Sequence, residues 1–116
     1  MPAYELWHNP RCSKSRAALD LLREHGIDPA IRDYLAQPPD PAELRALLAK
    51  LGLPARALLR SGEAEHGALG LGDPALGEGA LVAAMAAHPR LIERPVFIAG
   101  TRAILGRPPE RVLELL

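Results

Sequence analysis

Hydrophobic positions follow two rhythms along the chain. Residues 3–7, AYELW, alternate and carry two aromatics, which predicts a first strand, Ala3–Trp7. After the loop HNPRC the rhythm becomes helical. In SKSRAALDLLREHG, Ser13 is the expected N-cap, Ala18, Leu21 and Leu22 share a face, and Gly26 is the C-terminal stop. PAIRDYL, Pro29–Leu35, predicts a second strand after a short turn. A strand, a helix and a strand in about thirty residues have the length of a βαβ unit.

The Pro-rich AQPPDP then breaks the pattern. Asp40 is an expected cap and Pro41 stands in the first turn of a new helix, with Leu44, Leu47, Leu48 and Leu51 at i, i+3, i+4 and i+7. PARALLR predicts another short helix ending near Arg60. Residues 61–80 are Gly-rich, with four acidic residues and no Lys or Arg, and predict loop with short helical pieces. GEGALVAAMAAHP is an expected helix stopped by Pro89. RPVFIAGTRAIL predicts a hairpin around a tight Ala99-Gly100 turn, and RPPERVLELL a closing helix with prolines in its opening residues. The order is βαβ, a helical insert, then ββα. It predicts an α/β fold, a small mixed sheet with flanking helices, and places a site where the first strand feeds the first helix.

Composition and charge narrow the function. The 116 residues suit one domain, with the helical insertion spanning about residues 37–90. At 48% hydrophobic and 24% charged the chain is globular, and no apolar run is long enough for a bilayer. MPAYELW lacks the basic start and apolar stretch of a secretory signal. Fourteen Lys+Arg balance fourteen Asp+Glu, so no broad cationic field exists for nucleic acid. A single cysteine excludes an internal disulfide, and the cytoplasm is the expected location.

That cysteine, Cys12, stands at a loop-to-helix junction among Arg11, Lys14 and Arg16, with His8 nearby. Helix N-termini and neighbouring cations favour a thiolate. Thiolate formation alone does not justify so much charge. Lowering a thiol's pKa from about 8.5 to about 6.5 raises the thiolate fraction at pH 7 roughly 25-fold, while the loss of nucleophilicity returns about eightfold. An anionic substrate justifies it better, because two like charges about 4 Å apart repel by roughly 4 kcal/mol at an effective dielectric near 20. Arginine forks offset such repulsion. Candidates are Arg60, Arg94 and Arg107, each bordering a turn or proline. Pro95, before the strand VFIA, is a position where a cis bond is cheap. With no second cysteine, Cys12 cannot be resolved internally, so another molecule must supply the second thiol.

In order, YELWHNPRCSKSR, YLAQPP, ARALLRSGE, HPRLIERPVFI and ILGRPPERVLELL resemble the glutaredoxin-linked arsenate reductase family over nearly the whole chain, above all its branch with NPRCSKSR and GRPPE. The resemblance implies a thioredoxin-like (glutaredoxin-like) fold with a helical insertion. It implies that Cys12 is the nucleophile and forms a thioester-like bond to arsenic, that glutathione attacks this adduct as co-substrate, and that glutaredoxin completes reduction to arsenite. Arg60, Arg94 and Arg107 match the three oxyanion-contacting arginines, His8 a histidine that helps activate the cysteine, and Pro95 the cis-proline beside the active site. A cis Arg94–Pro95 bond is therefore expected. The resemblance calls for no metal and no bound cofactor, and a monomer is expected. Read by itself, His8 is equally a loop histidine bonded to backbone. Ser15, where a C-x-x-C motif would hold its second thiol, is either a donor to sulfur or oxyanion or a plain first-turn serine.

PRCSKS stands where the characterised reductases have PACGTS. Arg11 and Lys14 thus add charge, either changing the preferred oxyanion or enlarging the area that meets glutathione's carboxylates. Two rival readings are a monothiol, glutathione-dependent oxidoreductase acting on mixed disulfides, and a non-enzymatic regulator similar to the Spx proteins that bind RNA polymerase. The absence of C-x-x-C weakens the second.

Overall fold

In a computed structural model, residues 3–116 are described, and four strands form one sheet. β1 (Tyr4–Trp7), β2 (Ala30–Arg32), β3 (Val96–Ala99) and β4 (Arg102–Leu105) lie in the order β2-β1-β3-β4. β1 runs parallel to β2 and antiparallel to β3, and β3 is antiparallel to β4. The helix α1 (Ser13–Glu24) connects β1 to β2, and a 3₁₀ helix, Pro109–Leu115, closes the chain. Leu6 and Phe97 from the sheet, Ala18, Leu19 and Leu22 from α1, and Val112 from the 3₁₀ helix make one buried core. Tyr4 stacks on Phe97 with ring centroids 5.8 Å apart.

The chain divides into two compact units, the first up to Gln37 together with Arg94–Leu116 and the second Pro38–Glu93. The second unit holds α2 (Pro41–Leu51), α3 (Ala55–Leu58), α4 (Ala64–Ala68), α5 (Glu78–Ala87) and a 3₁₀ turn, Pro89–Leu91. Asp40 caps α2 in a reciprocal box with Glu43, and Gly52 ends it in the left-handed region at φ 66°. Leu44, Leu47, Leu58, Leu81, Met85 and Leu91 are buried within this unit. The Leu59–Ile92 bridge, with Arg60 N–H on Leu91 O at 2.7 Å and Glu93 N–H on Leu58 O at 2.8 Å, ties the stretch after α3 to the unit's C-terminal end.

Several boundaries differ from the sequence reading. β1 starts at Tyr4, and β2 stops at Arg32 instead of Leu35 because Asp33 Oδ1 accepts the N–H groups of Leu35 and Ala36 and turns the chain. The N-cap of α1 is Cys12, not Ser13, and no side chain caps the helix. The buried line of α1 is Ser15, Ala18, Leu19 and Leu22, with Leu21 only half-buried. The hairpin turns at Gly100–Thr101, where Gly100 takes φ 64°, and the closing helix is 3₁₀. The peptide bonds Arg94–Pro95 and Arg107–Pro108 are both cis. No helix among the described residues is long and apolar enough to cross a membrane.

Candidate active site

Strand register fixes which loops meet. Trp7 pairs with Arg32 of β2 and with Val96 of β3, and Val96 pairs with Leu105 of β4. The ends of β1, β2 and β4 and the start of β3 therefore lie at one end of the sheet. The loop from His8 to Cys12, the Asp33 turn, the Arg94–Pro95 step and Gly106–Arg107 all leave the sheet there. His8 N–H donates to Arg32 O at 2.8 Å, Gly106 N–H to Pro95 O at 2.9 Å, and Arg107 Nε–H to the main-chain O of Arg94 at 2.8 Å. Arg94, Pro95 and Arg107 are thus brought together.

The Cys12 loop is tied internally. Cys12 N–H donates to Asn9 O at 3.0 Å, Asn9 Oδ1 accepts Arg11 N–H at 3.0 Å, and Arg16 Nη1 donates to Pro10 O at 2.8 Å. Cys12 is half-buried at the N-cap of α1, the position toward which the unpaired first-turn N–H groups of a helix point. Its thiol is free.

Beneath the loop, His8 is 7% and Ser15 0% exposed. His8 Nδ1 and Ser15 Oγ are 2.6 Å apart, and Ser15 Oγ also accepts Asn9 N–H at 3.1 Å. The Ser15 hydroxyl is therefore engaged by His8 and by the loop backbone. Burial, opposed by nearby Asp33, lowers the pKa of His8 below 6.5, so the folded protein favours the neutral ring. The unfolded chain takes up this proton first as pH falls. The stabilising contribution is full above about pH 6.5 and is lost toward the lowered folded value. Stability measured by urea unfolding is expected to decline between pH 7 and pH 5, and less so in His8→Asn. An equal decline in that variant would contradict this account.

Arg11 and Lys14 are exposed, and neither joins an ion pair among the described residues. Arg94 and Arg107 are half-buried. Arg60 belongs to the Pro38–Glu93 unit, where its guanidinium meets Glu63 at 2.5 Å and Glu93 at 3.6 Å. Two carboxylates thus offset its charge. No group of three or more His, Cys, Asp or Glu suited to a metal exists among the described residues.

The sequence reading overlooked Gly106, Asn9 and Asp33. A Cβ on Gly106 would lie 2.7 Å from Cγ of Pro95 and 3.1 Å from Cγ1 of Val112. Only glycine lets the chain leaving β4 pass so close to the cis-proline, and a glycine directly before a candidate arginine was the available signal. Gly106→Ala is expected to cost about 1–3 kcal/mol of stability in chemical denaturation, as other overpacked sites do. An unchanged midpoint would show that Pro95 yields freely.

A βαβ unit followed by a β-hairpin and a helix, with a lone cysteine capping the first helix and a cis-proline opening the third strand, defines a thioredoxin-like thiol protein. The chain belongs to the ArsC family, whose model matches residues 7–115. It is 49% identical over 113 residues to "Uncharacterized protein YfgD" of Escherichia coli K12, covering 97% of this chain and 95% of that protein. It is 47% identical to an arsenate reductase of Neisseria meningitidis serogroup A, covering 100% of both. An arsenate reductase from Vibrio cholerae has a solved structure with a TM-score of 0.96 and 47% identity, covering 99% of this chain and 98% of the other.

Proposed function

We propose that this chain is an arsenate reductase with Cys12 as its nucleophile. The observation that supports the reading best is the position of Cys12. It caps α1 without a side-chain capping bond, at the sheet end where Arg94, cis-Pro95 and Arg107 meet. Curated relatives at this level of similarity are named arsenate reductase.

In this reading the Cys12 sulfur bonds to arsenic and an arsenate oxygen leaves as water. A small external thiol, glutathione, then bonds to the arsenic and displaces a second water. A glutaredoxin thiol takes up the glutathione sulfur as a disulfide, and the two electrons of that arsenic–sulfur bond remain on arsenic, now trivalent. Water finally replaces Cys12 and arsenite departs. Two thiols are oxidised to one disulfide and arsenic is reduced by two electrons.

Arg94 and Arg107 hold the oxyanion, each able to present two donors in one plane. The family resemblance gives Arg60 the third oxyanion contact; within the Pro38–Glu93 unit its guanidinium is held by Glu63 and Glu93. His8, neutral at rest and held by Ser15, can take the proton of the Cys12 thiol and becomes charged as it does so. Because the Ser15 hydroxyl already serves His8 and Asn9, its role is to position that ring and loop, with oxyanion contact secondary. Arg11 and Lys14 attract the anionic thiol. A monomer is expected, and a lone thiol suits the reducing cytoplasm.

The deciding assay follows arsenate-dependent oxidation of glutathione with glutaredoxin present, beside reduction of a glutathionylated peptide. Turnover only of arsenate supports the proposal. Turnover only of the peptide would replace it with a monothiol oxidoreductase.

A further inference from the structure

A pocket of about 320 Å³ opens on the flank of the Cys12 loop, lined by Asn9, Pro10, Arg11, Asp33, Leu35 and Ala36. These residues all belong to the unit that carries Cys12. The volume is at the lower end of small-molecule sites, which run from about 300 to 1,000 Å³. Its walls combine apolar surface, from Pro10, Leu35 and Ala36, with one cation, one carboxylate and one amide. The carboxylate is fixed, because Asp33 Oδ1 accepts from both Leu35 and Ala36 N–H at 3.1 and 3.2 Å. Asn9 is fixed likewise by accepting Arg11 N–H, a bond that does not use its side-chain nitrogen.

A tetrahedral oxyanion does not suit such a place, since the Asp33 carboxylate would repel it. A ligand with charge of both signs on an amide backbone does. We propose that this pocket docks the external thiol, and that the thiol is peptide-like, with a carboxylate for Arg11 and an α-ammonium for Asp33. The proposal deepens the reading above and rests on it, because an arsenic-bound Cys12 must be relieved by a thiol from outside. In the step served, the docked sulfur bonds to arsenic, its proton leaves with an arsenic-bound oxygen as water, and arsenic remains pentavalent. Reduction belongs to the later attack by the second thiol.

The test uses the full chain and probes that cannot react. S-methylglutathione, and the same molecule with its amine acetylated, are titrated into wild type, Asp33→Asn and Ala36→Trp and followed by amide chemical shifts. In wild type the resonances of Asn9, Arg11 and Ala36 should move. Asp33→Asn should weaken the amine-bearing probe about tenfold, as expected for a lost charged contact, and leave the acetylated probe unchanged. Ala36→Trp, an exposed substitution that fills the pocket, should abolish both. No binding to wild type, shifts confined to other residues, or equal affinity in Asp33→Asn would overturn the proposal. Arsenate turnover measured in parallel separates the two claims. An unaltered KM for glutathione in Ala36→Trp removes the pocket and keeps Cys12 as nucleophile. Wild type that binds the probe here yet never turns over arsenate keeps the docking site and removes the reaction.

Discussion

Cys12→Ser is expected to abolish arsenate turnover, lowering kcat by at least about 10⁴-fold, in the range seen when other enzymes lose their nucleophile. The same change should make the protein more stable. Cys12 is the N-cap of α1, yet its side chain makes no capping bond. Serine is among the strongest N-caps, and a good cap contributes about 0.5–2 kcal/mol. A gain of about 0.5–1 kcal/mol in urea unfolding, with turnover lost, would separate chemistry from folding. It would also explain why a poor capping residue occupies the start of this helix. Retained turnover would remove Cys12 from the mechanism.

Arg94→Ala is expected to have the next largest effect, a fall in kcat/KM for arsenate of tenfold or more. That corresponds to the roughly 1.5–3 kcal/mol of a hydrogen bond to a charged group. The substitution is clean in one respect. Arg107 is anchored through Nε on the main-chain carbonyl of Arg94, and that carbonyl survives the removal of the side chain. The loss can then be assigned to the Arg94 guanidinium and not to displacement of Arg107. Arg94→Lys should recover only part of the activity, because an ammonium cannot offer two coplanar donors. Full recovery by lysine would mean that charge alone matters, and an unchanged kcat/KM in the alanine variant would remove Arg94 from the site.

Periodicity made the element order legible because the signals are local. The leucines of α2 recur at helical spacing, Asp40 and Glu43 lie three residues apart as a capping box, and AYELW alternates. Errors arose where a side chain competes with the regular pattern. Asp33 ends β2 three residues early by binding the backbone beyond it. Propensity favoured Ser13 over Cys12 as the cap, but the bond from Cys12 N–H to Asn9 O closes the loop one residue sooner. Ser15 was singled out for its place relative to Cys12, but its burial was hidden by its own polarity. It stands three before Ala18 and seven before Leu22, on the buried line of α1, and only its bonds to His8 and Asn9 make that burial tolerable.

The candidate site was legible where it coincides with chain landmarks, namely the single cysteine and the arginines beside prolines. Its assembly was not, because meeting at one sheet end depends on register. Trp7 opposite Val96 and Val96 opposite Leu105 carry Cys12, Arg94 and Arg107 toward one another, and no local pattern encodes that pairing. Gly106 is similar. Its meaning lies in the Pro95 ring across the hairpin, a neighbour eleven positions away in sequence.

One crystal soaked in arsenate tests the central claim most directly. Electron density is expected for arsenic bonded to Cys12 Sγ, with oxygens held by the guanidinium groups of Arg94 and Arg107. Density for the anion at any other place, with an unmodified sulfur and those two side chains turned away, would contradict it.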